Sequence, residues 1–175
     1  MESSKSKVPD FRKMFQLAEQ YTVASGLLED GMPGDEWGES APYLLVNSFA
    51  VELYLKCMYV MDTNLKPKMG HNWVKLFESL KSHTKSAIRD DFNRIVEESP
   101  VLSNLEFINP GMIDYTNFNL SLEAASNTFD KHRYIYEGVP DAEEWRYGRL
   151  IHQSIRNVTT MDLRLADLVL SKDDS

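Results

Sequence analysis

Arg149, Gln153, Arg156, Thr160 and Arg164 recur every three or four residues towards the end of the chain. On a helix that spacing puts them on one face. Three guanidinium groups on one face can fork onto phosphate oxygens or onto the carboxylates of an acidic partner. An ordinary solvated face has the same pattern. The histidines at 71, 83, 132 and 152 titrate nearest neutrality and are the natural candidates to move protons. They form no HxxxH pair and no Cys/His cluster, so no metal site is expected. No phosphate-cradling glycine loop, nucleophile elbow or dinucleotide fingerprint occurs, and no cofactor is expected.

A second group of polar residues lies in the most apolar stretch. Residues 42–62 read PYLLVNSFAVELYLKCMYVMD, long enough for five to six helical turns. Apolar side chains point in nearly every direction, and Ser48, Glu52 and Lys56 form one narrow polar stripe. A carboxylate and an ammonium near mid-segment argue against a membrane span, so the stretch is read as the central helix of a bundle. Glu52 and Lys56 have the favourable i, i+4 order. A buried Glu52 needs a partner, and Arg133 is the expected one, since its planar fork suits a carboxylate. His71 is expected to order a turn, and Tyr134 and Tyr136 to pack with their hydroxyls bonded.

The elements that must hold these groups are helical. An amphipathic helix is expected from Pro9–Asp10 to about Gly31, followed by a glycine-rich acidic loop in which Trp37 acts as a lid over the bundle or, alternatively, as a contact residue. Two helices follow the central one, over 72–83 and 85–98, with a modest basic excess on a solvated face. Residues 99–119 read as a long loop and 121–137 as a fifth helix. The last helix starts at Asp141, with Glu144 completing a capping box. Its core stripe is Tyr147, Ile151, Ser154, Val158, Met161, Leu165 and Leu168. The expected fold is all-α: an antiparallel bundle of five to six helices in one domain over 9–171, with a disordered tail at 1–8 and a frayed one at 172–175.

Composition narrows the setting. The net charge of −8 disfavours whole-surface binding to nucleic acid and leaves a local basic site open. Cys57 is the one cysteine, is expected to be buried, and fits a reducing cytoplasm. The N-terminus MESSKSKVPDF lacks the apolar core of a signal peptide, and a cytoplasmic protein without membrane contact is expected.

Three patterns stand in order along the chain: NSFAVELYLK (47–56), GHNWVKLF (70–77) and FDKHRYIYE (129–137). Together they resemble the HEPN superfamily of helical bundles. The resemblance implies a HEPN-like antiparallel bundle, often a homodimer, with a place in RNA cleavage, toxin–antitoxin pairs or phage defence. It singles out Glu52, Lys56, His71, Arg133, Tyr134, Tyr136 and Glu137 as a polar core. Active members of the superfamily carry an arginine, four to six residues, then a histidine early in a late helix. Arg146 and His152 match that spacing, the arginine to steady phosphate charge and the histidine to move protons without a metal. A six-residue step separates two side chains by about 120° on an ideal helix, and Tyr147 stands where active members place a small polar residue. The resemblance therefore implies an RNA- or nucleotide-associated binding module in a defence or stress system. Its alternatives are a metal-independent endoribonuclease using Arg146 and His152, or the structural protein partner in a toxin–antitoxin pair.

Overall fold

A computed structural model describes residues 8–67, 70–99, 116–126 and 143–173 apart from 31–40, and the helical side chains other than those of 41, 143–147 and 168–173. The described residues are all-α, with six helices and no strand. They are α1 (Phe11–Asp30), α2 (Ala41–Thr63), α3 (Trp73–Glu78), α4 (Ser82–Glu98), α5 (Phe118–Ser126) and α6 (Glu143–Asp173).

Local chemistry sets several of the ends. The Asp10 carboxylate accepts the Arg12 amide at 3.0 Å and so caps α1. Asn64 ends α2 in the left-handed region at φ 53°, which asparagine tolerates better than most residues, and its amide reaches Val60 O at 2.8 Å. Gly70 takes φ 142°, where a side chain would be strained, as the chain turns towards α3. The Asn72 side chain then accepts the Lys75 amide at 2.9 Å. Asn117 caps α5 in the same way, accepting the Asn119 amide at 3.0 Å.

The start of α4 is capped from another helix. Asp62, near the end of α2, accepts the Lys81 amide at 2.8 Å and the Thr84 hydroxyl at 2.8 Å. Burial first, and the charge of Asp62 second, push the pKa of Asp162 on α6 upward. Asp62→Ala should lose about 2 kcal/mol in urea denaturation, because an orphan helix-start amide and a buried hydroxyl lose their acceptor together. A loss under about 0.5 kcal/mol would show that water replaces the carboxylate.

α2 is central, as its all-round apolar character dictates. Ala50, Val51, Tyr54, Leu55, Cys57 and Met58 are buried, and α2 packs against α1, α3 and α6. It is long and apolar enough to cross a membrane by length and composition, yet most of that surface is covered inside the bundle. Burial pushes the Cys57 thiol up to about 12, so it behaves as a small apolar group. Trp73, Phe77, Phe92, Ile151 and Ile155 complete the core, and Phe118 meets Phe77 and Phe92 at ring-centroid distances of 5.0 and 5.4 Å.

The stripe expected on the last helix holds through Ile151, Ser154 and Val158 and then fails. Met161 and Leu165 are 64% and 52% exposed, while Ile155, Thr159 and Leu163 are buried instead. A strict seven-residue repeat drifts about 20° per heptad on a straight helix, so the buried face rotates away from it. The basic excess around α4 is also less free than expected. Lys85 pairs with Glu78 at 2.8 Å and Arg94 with Asp91 at 2.6 Å. The helix expected over 121–137 begins earlier, at Phe118, and its described part ends at Ser126. Trp37 and the loop segment 100–115 lie outside the described residues.

Candidate binding site between α1, α2 and α6

α1 pairs with α6 through charged side chains. Arg12 meets Asp167 at 2.7 Å, Arg156 holds Glu19 with two bonds of 2.8 and 2.7 Å, and Arg149 pairs with Glu29. The order of these pairs makes α1 antiparallel to α6. Arg149 and Arg156 therefore lie on the α1 side of α6, solvent-exposed as expected of that face but each paired with an α1 carboxylate. Arg164 is exposed.

Between the pairs runs a part-buried chain of polar contacts. Tyr54 donates to Glu19 in a short hydrogen bond. The Thr22 hydroxyl lies 3.1 Å from the Tyr54 hydroxyl and 3.1 Å from Nε2 of His152. Counting protons assigns the tautomer. The Tyr54 proton goes to Glu19, and the single Thr22 proton goes to the Ala18 carbonyl at 3.1 Å, which can only accept. The His152–Thr22 contact then needs its proton from Nε2, which leaves Nδ1 as an acceptor. Sequence spacing did not single out Glu19, Thr22 or Tyr54. A signal was present on α2, where Tyr43, Asn47 and Tyr54 follow at steps of four and seven and share a face.

The electrostatics follow from this arrangement. His152 is 8% exposed. Burial foremost, then the positive charge of Arg156, push its pKa down to about 4, so the ring is neutral at pH 7. The Arg156 bonds foremost, helped by Tyr54, hold Glu19 below its ordinary carboxylate value. Burial and then Glu19 raise Tyr54, and Glu19 raises Arg156. Burial lowers Arg149.

A cavity of about 400 Å³ opens beside this chain. α1 contributes Thr22, Ser25, Gly26 and Glu29, and α2 contributes Tyr43 and Asn47. Arg149, His152, Gln153 and Arg156 line it from α6. Asn47 is 3% exposed, and its Oδ1 is buried without a hydrogen-bond partner. Exchanging the amide atoms would move the deficit to Nδ2 without removing it. Gly26 sits inside α1, where glycine costs about 1 kcal/mol relative to alanine. A Cβ built there meets nothing within 4 Å, so no protein atom fills that side of the cavity.

The polar core implied by the resemblance is partly described. Glu52 is 6% exposed and accepts from Lys56 Nζ at 2.5 Å, while its other oxygen lies 2.7 Å from Nδ1 of His71. Thus His71 ties the turn before α3 to the central helix. Arg133, the expected partner of Glu52, lies outside the described residues, as do Tyr134, Tyr136 and Glu137. The side chain of Arg146 is also outside them, so the Arg146–His152 geometry is not on view. Among the described residues no group of three His, Cys, Asp or Glu side chains is arranged to hold a metal. Compared with family models, curated proteins and solved structures, the chain matches none.

Proposed function

We propose that the chain is a HEPN-like binding module that holds a phosphate-bearing ligand, RNA or nucleotide, in the cavity between α1, α2 and α6, and does not cut it. One observation carries this reading. Two arginines and a buried amide with an unpartnered oxygen line a space that no protein group fills. Guanidinium groups fork onto phosphate, and such polar anchors fix a ligand's orientation in a cavity of this size.

Neutral His152 supports binding over catalysis. A ring that resists protonation until about pH 4, with Nε2 taken by Thr22, is poorly tuned to donate a proton at pH 7. The endoribonuclease alternative keeps one supporting fact, that His152 lines the same cavity. A dimer is part of the proposal, and Leu17, Val23 and Leu27, exposed on α1, are apolar residues that a second copy could cover.

The test uses a labelled mixed-sequence RNA pool in EDTA, with binding read by anisotropy and length by gel. Gly26→Leu fills the cavity and leaves every charge in place. The expected result is intact RNA, bound about tenfold more weakly by the variant. RNA shortened by the wild type but not by His152→Ala would replace this reading with the nuclease.

A further inference from the structure

We infer that Glu29 is a built-in competitor: its carboxylate occupies Arg149 as the terminal phosphate of a nucleotide-sized ligand would, and the ligand binds by displacing it. The inference rests on the binding reading above and adds how that site is kept closed and what opens it.

Three observations support it. First, the two arginines of the cavity are held differently. Arg156 grips Glu19 with two nitrogens, and Glu19 is anchored again by Tyr54, so that pair is tied down from α2 although it is as exposed as the pair at Arg149. Glu29 has no such second anchor among the bonds described for it, and it lines the cavity itself. Second, the pair at Arg149 lies at the surface, with side chains 44% and 29% exposed. Half-exposed ion pairs contribute little net stability, so exchanging one carboxylate for another anion costs little. A phosphate monoester carries more charge than a carboxylate and offers three acceptor oxygens, which favours it at the guanidinium.

Third, a ligand seated there reaches unfilled chemistry. Arg149 and His152 are three residues apart on α6 and share a face, and Asn47 faces the same cavity from α2. Asn47 lacks a partner for one amide atom, which a ligand hydrogen-bonding group can supply. The volume of about 400 Å³ falls at the small end of ligand sites, about 300–1,000 Å³. It admits one nucleotide-sized unit and not a folded polymer.

Calorimetric titration of the full chain at low ionic strength tests this, with 5′-AMP, adenosine and inorganic phosphate as probes. The variants are Glu29→Gln, which keeps shape and removes charge, and Arg149→Gln, each checked for folding by circular dichroism. Wild type should bind 5′-AMP in preference to adenosine. Glu29→Gln should tighten 5′-AMP by about threefold, and Arg149→Gln should weaken it by at least about tenfold. Unchanged or weaker binding in Glu29→Gln, with Arg149→Gln still impaired, would overturn the competitor role and leave the binding site standing. No 5′-AMP binding in wild type or Glu29→Gln would overturn the inference. If the RNA pool also failed to bind, the reading it rests on would fall too.

Discussion

Glu52→Ala should lose about 3 kcal/mol of stability in urea denaturation, the typical cost of stripping one partner from an enclosed ion pair. The carboxylate is 6% exposed on the central helix and holds two groups at once. Removing it leaves the Lys56 ammonium, only 15% exposed, without its acceptor and releases His71 from the turn before α3. The double change Glu52→Leu with Lys56→Met should recover most of the loss, because apolar side chains of similar size suit this helix. Equal stability of the wild type and Glu52→Ala would mean that Lys56 escapes to water and that the stripe is ornamental.

The second large effect is acid lability. His152 is held neutral in the fold with a pKa of about 4, whereas an unfolded chain protonates it near 6.5. Between these values the unfolded state binds the extra proton. This contribution to stability is therefore complete above pH 6.5 and is lost as the pH falls towards 4. The total is about 3 kcal/mol. Glu19, whose folded pKa is depressed by Arg156, acts in the same direction at lower pH, losing its contribution as it protonates. His152→Gln keeps a donor for Thr22 and cannot titrate. Its stability should be nearly flat from pH 6.5 to 5, above the range in which Glu19 begins to lose its contribution, while the wild type already declines. An equal decline in both would assign the acid limb to other groups.

The fold was legible where one helix face decides burial. The central helix announced itself by being apolar all round, and Ala41–Thr63 extends the expected 42–62 by one residue at each end. The start of α4 was misplaced because its capping group is Asp62, nineteen residues before Lys81, and local sequence cannot display a cap supplied by another helix. The candidate site was half legible. Periodicity put Arg149 and Arg156 on one face of the last helix and His152 nearby, but could not say that Glu19 and Glu29 lie across from them. Charge complementarity between helices far apart in sequence leaves no local pattern. Asn47 stands in the sequence as one member of a motif, and its unsatisfied amide becomes visible only when its neighbours are placed.

The most direct test of a binding site built around a neutral histidine is nuclear magnetic resonance of the His152 ring, labelled with nitrogen-15 and titrated from pH 8 to 4. One proton is expected, on Nε2, down to about pH 4, the signal being assigned by its loss in His152→Gln. A ring that gains its second proton between pH 6 and 7 would contradict it and return His152 to the role of a general acid.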